Sequence, residues 1–193
     1  MKNILVLGAS GSLAKVVITV LLDNPEIKLT LFSRHITELI PLTHERVSVV
    51  KGDVMDLAQL EQAMQGQDIV YANLAGELEL MAKNVVQAMA KQNIKRLIWI
   101  SSMGIYDETE TDHGSILDPY RLSAKVIEES KLDYTLIRPA WFTNGIEVDY
   151  KLTRKGEAFQ GDQVSRRSIA ALIDKLIQKP DCAIGESLGI AKV

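Results

Sequence analysis

Two kinds of apolar spacing alternate along this chain, and that alternation limits its folds more than any other feature. Short runs rich in consecutive apolar and β-branched residues occur at 4–7 (ILVL), 27–32 (IKLTLF), 46–51 (RVSVVK), 68–71 with its flanks, 96–100 (RLIWI) and 133–137 (DYTLI). Runs of this length fit strands covered on both faces. Between the first two, Leu13, Val16, Val17, Val20 and Leu21 share one face of a helix, which Asp23, Asn24 and Pro25 end because proline cannot continue it. Further helices are predicted over 56–65, over 77–92 with Leu78, Met81, Val85 and Met89 on one face, over about 119–130, and through Ile169, Leu172, Ile173, Leu176 and Ile177. Residues 187–193 read as a last strand. Strands alternating with helices call for parallel pairing through right-handed crossovers. The expected fold is α/β: one domain over residues 1–193, a doubly wound parallel sheet with a short C-terminal extension on the substrate side.

Ligands of such sheets bind beyond the carboxyl ends of the strands, where strand order reverses. Directly after the first predicted strand stands Gly8-Ala9-Ser10-Gly11-Ser12-Leu13-Ala14, with the spacing G-x-x-G-x-x-A. Gly8 permits a tight turn, Gly11 lets backbone amides approach a pyrophosphate, and Ala14 lets the helix pack closely on the strand. The helix start offers unpaired N–H groups and the positive dipole end, and Ser10 and Ser12 add hydroxyls. Two glycines alone make only a turn. Their place between a strand and an amphipathic helix is what points to a dinucleotide.

The second strand ends Leu31-Phe32-Ser33-Arg34-His35, with no acid among these residues. An acid at this point reads a free ribose 2′-OH, whereas an arginine accommodates a 2′-phosphate. Arg34, helped by Ser33, therefore favours NADP over NAD, the alternative being a solvated loop charge. Asp53, with Val54 after the third strand, reads two ways: an acceptor for an adenine amino group, or a cap for the helix beginning near 55–56. Asn73, Leu74, Ala75 and Gly76 follow the fourth strand, small enough to run against the middle of a cofactor.

Charge and composition exclude several classes. Among 193 residues, 22 Lys and Arg against 25 Asp and Glu leave a net charge of −3, which argues against a general nucleic-acid binder. No apolar run approaches the roughly 20 residues that span a bilayer. The start, MKNILVLGAS, carries a charge and then an apolar run too short for a signal sequence, and reads as a strand. Cys182 is the single cysteine and fits a reducing cytoplasm. His35, His44, His113 and Cys182 show no metal-ligand spacing. Neither a G-x-S-x-G nor a G-x-x-x-x-G-K-[ST] pattern occurs, which leaves a serine hydrolase or P-loop nucleotidase without support.

The motifs GASGSLA, LFSR, KGDVMD, NLAG, ISSMGIYD and LDYTLIRPAWFTN, with the helix carrying Lys125, resemble the short-chain dehydrogenase/reductase superfamily. The likeness is to its short atypical branch, with NmrA-like and flavin-reductase or biliverdin-reductase-B-like members. It covers roughly residues 3–145 and, loosely, the helix containing VSRRSIAALI. It implies a Rossmann fold and an NAD(P)-dependent oxidoreductase acting on a small molecule, with hydride passing to a conjugated acceptor such as a flavin or quinone. The alternative it implies is an NmrA-like sensor that binds dinucleotide without turnover. It assigns the pyrophosphate to Gly8, Ser10, Gly11, Ser12 and Leu13, the 2′-phosphate to Arg34, and the adenine to Asp53 and Val54. Leu74, Ala75 and Gly76 line the cofactor's centre, and Pro139, Ala140 and Trp141 sit beside the nicotinamide. Ser102 matches the active-site serine, and Lys125 the lysine that binds the nicotinamide ribose. A homodimer through the helices near 77–92 and 119–130 stays open.

Superfamily catalysis pairs a tyrosine with a lysine four residues later, on one helix face. Here the nearest pair, Tyr120 and Lys125, is five apart, a rotation of about 140°. Asp118 reads as the helix cap, Pro119 as its first residue, and Tyr120 as either a proton donor or a helix-start aromatic. Direct hydride transfer to a flat acceptor avoids the missing pair, with the proton coming from solvent or Ser102 and with Trp141 and Phe142 as walls or as ordinary packing. Tyr106 is a second hydroxyl near the same loop. The acidic run 107–112 reads as a solvated loop or a lid, and Ser165, Arg166, Arg167 and Ser168 as a helix start whose arginines serve ion pairs or an anion. Only roughly 50 residues follow the sixth strand, so a small or shallow pocket is expected.

Overall fold

A computed structural model describes residues 1–42, 44–110 and 113–193. Strands β1 (Lys2–Leu7), β2 (Ile27–Ser33), β3 (Val47–Lys51), β4 (Ile69–Ala72), β5 (Arg96–Ile100), β6 (Asp133–Pro139), β8 (Lys151–Arg154) and β10 (Glu186–Ala191) form one sheet in the order β3-β2-β1-β4-β5-β6-β10-β8. Every pairing is parallel except the edge pair, where β8 runs antiparallel to β10. Two short strands, β7 (Trp141–Thr143) and β9 (Gln163–Ser165), pair apart from it.

Alternation along the strands supplies two cores. Ile4 and Val6 face the layer of α1 (Ser12–Leu22) and α5 (Arg166–Gln178), and Leu5 and Leu7 face the layer of α2 (Leu57–Met64), α3 (Leu78–Lys91) and α4 (Asp118–Glu128). The unbroken apolar runs reflect this double covering. Helix α1 stops where proline was expected to stop it, and Arg46 reinforces the end by donating to the carbonyls of Leu22, Asn24 and Ile27 at 2.7–2.9 Å.

Three local expectations are corrected. Helix α2 is capped by Asp56, whose carboxylate accepts from the Gln59 amide at 3.1 Å, so Asp53 does not cap it. Helix α4 is entered from a 3-10 turn over Gly114–Leu117, which leaves Asp118 inside the helix, paired with Arg121 at 3.1 Å, rather than at its cap. The sheet gains an antiparallel edge strand that periodicity did not reveal. Strand order reverses between β2 and β4 on either side of β1, so the crevice expected of such sheets opens beyond Leu7 and Ala72.

Candidate functional site

Two cavities lie along the carboxyl ends of the strands. The first, about 180 Å³, is a groove lined by Gly8, Ser10, Gly11, Phe32, Ser33, Arg34, His35, Gly52, Asp53, Val54, Asn73, Leu74, Ala75 and Met81. Gly8 has φ +74°, and a Cβ built there falls 2.1 Å from the Asn73 carbonyl oxygen. The turns that follow β1 and β4 therefore approach this closely only because residue 8 has no side chain. Gly11 precedes α1 in extended conformation and no side chain caps the helix, so its first amides remain open to an anion.

At the edge of this groove Arg34 is 61% exposed and lies 3.9 Å from the Asp53 carboxylate. Asp53 also accepts from the Met55 amide at 3.0 Å. Ser33 donates to Ser10 at 3.1 Å and accepts from the His35 amide at 3.2 Å, which joins the end of β2 to the glycine loop. Ser12, Leu13 and Gly76 stand outside the groove lining: Leu13 sends its side chain into the core, and only its backbone belongs to the helix start. Asn73, which the sequence marks only as part of a small-residue turn, supplies the backbone wall against which Gly8 packs.

The second cavity, about 510 Å³, is lined by Ser101, Ser102, Met103, His113, Ile116, Leu117, Tyr120, Pro139, Ala140, Trp141 and Phe142. It brings together Ser102, Tyr120, Pro139, Ala140 and Trp141, all expected from sequence, and adds Ser101, His113 and the apolar side chains of the 3-10 turn. Ser102 donates to the Met103 carbonyl at 3.0 Å. Ile116, Trp141 and Phe142 form an apolar rim that is open to solvent, Trp141 being 67% exposed.

Lys125 does not join this group. Its side chain is 70% exposed and lies 3.9 Å from Glu129, one turn on, because five residues carry it away from the face holding Tyr120. Tyr106 also points elsewhere. Its hydroxyl donates to Glu128 and meets Ser187 at 3.2 Å, and burial followed by the neighbouring Glu128 carboxylate holds the phenol well above its ordinary value. Of the acidic run 107–112, Thr111 and Asp112 lie outside the described residues, and Glu108 is an internal ion-pair partner rather than a solvated loop charge. Among the described residues no group of acidic, histidine or cysteine side chains is arranged to hold a metal ion, and no helix is long and apolar enough to cross a membrane.

Residues 8–180 match a family model described as NAD(P)H-binding. The chain belongs to this NAD(P)H-binding family. A Rossmann-fold NAD(P)-binding family protein from Shigella flexneri is 46% identical, with 100% of this chain and 94% of that one covered and a TM-score of 0.92. A short-chain dehydrogenase/reductase from Veillonella parvula, solved in complex with NADP, is 29% identical over 99% of this chain and 94% of that one, with a TM-score of 0.90. The fold and the superfamily resemblance read from the sequence are thus borne out. A glutamyl-tRNA reductase from Pseudoalteromonas translucida is 28% identical over 121 residues, and the match spans 63% of this chain but only 28% of that protein's length. For a member of the NAD(P)H-binding family, the open amides at α1 and the groove beyond β1 and β4 have the donor chemistry that a dinucleotide phosphate requires.

Proposed function

We propose that this protein is an NADP-dependent oxidoreductase that reduces a small, flat, conjugated acceptor of the flavin or quinone class. The observation that carries the reading is the pairing of a phosphate-type groove with an apolar, open-rimmed cavity at the same end of the sheet. When bound, the dinucleotide supplies a hydride. The chain's own residues supply the rest. The amides of the glycine loop and of α1 hold the pyrophosphate, and Arg34 grips the 2′-phosphate while Ser33 ties the end of β2 to the glycine loop. Leu74 and Ala75 line the centre, and Pro139 and Ala140 close the floor beside the acceptor. Trp141 and Phe142 exclude water and orient a planar ring, so that positioning supplies most of the acceleration. Solvent supplies the proton that the reduced acceptor takes up, directly or through the Ser102 hydroxyl, which is reprotonated from solvent. Lys125 has no part in this reading, because its side chain faces solvent. The same reading puts the protein in the cytoplasm, with small-molecule partners, no nucleic acid and no membrane.

A second reading is an NmrA-like dinucleotide sensor without turnover. It is favoured by the solvent-facing Lys125 and by the Ser102 hydroxyl already engaged with the Met103 carbonyl. One experiment separates them: purified protein is mixed with NADPH and a panel of flavins, quinones and aldehydes, and absorbance of the reduced nicotinamide is followed. Acceptor-dependent loss supports the reductase. Tight NADPH binding with no loss for any acceptor supports the sensor.

A further inference from the structure

We infer that Arg166 is a second clamp on the dinucleotide, gripping its pyrophosphate from the side opposite the glycine loop; this rests on the dinucleotide-binding reading above. Arg166 is the first residue of α5, and its side chain crosses to the first residue of α1, where Nε donates to the Ser12 hydroxyl at 3.3 Å. Its Nη1 donates to the Thr143 carbonyl at 3.3 Å and to the Asn144 side-chain oxygen at 2.9 Å. The guanidinium carbon lies 5.0 Å from the centre of the Phe142 ring, a wall of the acceptor cavity. The side chain thus touches the first residue of α1, next to the glycine loop, and a wall of the acceptor cavity, while it lines a separate cavity of about 250 Å³ beside Val16, Thr19 and Asn144.

The partners of this guanidinium are all uncharged, and among the described residues no carboxylate pairs with it. It also stands at the start of two helices, and the positive end of each dipole disfavours a further cation. A cation held in such a field by neutral acceptors, and still reached by solvent at Ser12 and Asn144, has room for an anion as a further partner. A pyrophosphate held at the start of α1 presents oxygens that suit the planar fork of an arginine whose side chain already meets the first residue of that helix. Holding β7 to α1 would need only the neutral hydrogen bonds, and an uncharged side chain makes those without the electrostatic cost. The contact with Phe142 couples the clamp to the acceptor cavity.

The test compares Arg166→Gln and Arg166→Lys with the unaltered protein by calorimetry against NADPH, NADH and adenosine 2′-monophosphate, which lacks the pyrophosphate. The expected result for Arg166→Gln is a loss of about 10- to 100-fold in affinity for both dinucleotides, with 2′-monophosphate binding unchanged and a smaller loss in Arg166→Lys. Unchanged dinucleotide affinity in Arg166→Gln overturns the proposal and leaves Arg166 as a bracket for β7. A loss confined to NADPH overturns it too, since the 2′-phosphate is then what the side chain reads. Weakened 2′-monophosphate binding in both variants assigns Arg166 to the fold and likewise overturns it. Failure of the unaltered protein to bind either dinucleotide overturns the dinucleotide reading itself, an outcome distinct from all of these.

Discussion

The Arg138 guanidinium, 0% exposed on β6, is paired with the Glu108 carboxylate, 6% exposed in the loop after β5. The same carboxylate accepts from the amides of Gly104 at 3.0 Å and Tyr106 at 2.8 Å. Arg138 also donates to the Ser187 hydroxyl at 3.0 Å, on β10. One buried ion pair thus ties the loop that carries Ser101 and Ser102 to the two strands beside it. Glu108→Gln leaves the guanidinium without its charge partner inside the protein, and the expected loss of stability is about 3–5 kcal/mol. Urea unfolding of the variant against the unaltered chain measures it, and a loss under about 1 kcal/mol contradicts the assignment.

Acid should act through the same carboxylate. Burial alone raises Glu108, but backbone amides and Arg138 outweigh it and hold the carboxyl below its ordinary value of 4.5. The folded state therefore prefers the ionised form. Its stabilisation is complete above about pH 4.5 and is lost as pH falls from there through the lower, folded value. Melting temperature followed across this window should fall with acidification, and the fall should be shallower in Glu108→Gln.

Gly8 and Gly11 are predicted to differ in tolerance. An alanine at 8 meets the Asn73 backbone at 2.1 Å and must hold a positive φ, a cost of about 1–3 kcal/mol from the backbone alone. An alanine at 11 meets the Asn73 side-chain nitrogen at 2.9 Å, which can swing aside. Thermal melts should rank Gly8→Ala well below Gly11→Ala in stability. Equal melting points would mean that the turns after β1 and β4 are not in the contact described.

Arg34→Ala should weaken NADPH binding about tenfold or more and leave NADH nearly untouched, since only the 2′-phosphate distinguishes the two. Equal effects on both would remove Arg34 as the reader of that phosphate. Asp53→Asn, by freeing Arg34 from its partner at 3.9 Å, should not weaken NADPH.

Turnover should separate the members of the sequence-predicted catalytic set. Lys125→Ala is expected to leave kcat and KM unchanged, because its amine faces solvent. Trp141→Ala should lower kcat as well as raise KM for the acceptor, as expected of a wall that both binds the ring and orients it for transfer. A large fall in kcat in Lys125→Ala would restore the lysine to the reaction.

Most of the fold was legible because buried parallel strands and one-faced helices leave opposite apolar spacings in the chain. Ile4 to Leu7 and the α1 face from Leu13 to Leu21 are the clearest cases. β8 escaped because its four residues, Lys151–Arg154, are mostly exposed and carry little apolar signal. The groove was legible because its residues follow strands whose order is itself legible. The acceptor cavity was read only in part: His113 and Ile116 come from a 3-10 turn that no periodicity marks, and Ser101 is indistinguishable in sequence from its neighbour Ser102. Lys125 was carried over from the resemblance, although the helical rotation already separated it from Tyr120. Arg166 was singled out, but its meeting with Ser12, 154 positions earlier, is a product of α1 packing on α5.

The groove draws on residues 8–81 and the acceptor cavity on residues 101–142. This division makes the two halves separable to an engineer. Recasting the rim at Ile116 and Trp141, and leaving Phe142 in its contact with Arg166, should redirect the chemistry toward new oxidants while the coenzyme preference set at Arg34 carries through untouched, and a library confined to those two positions is a compact place to look for altered selectivity.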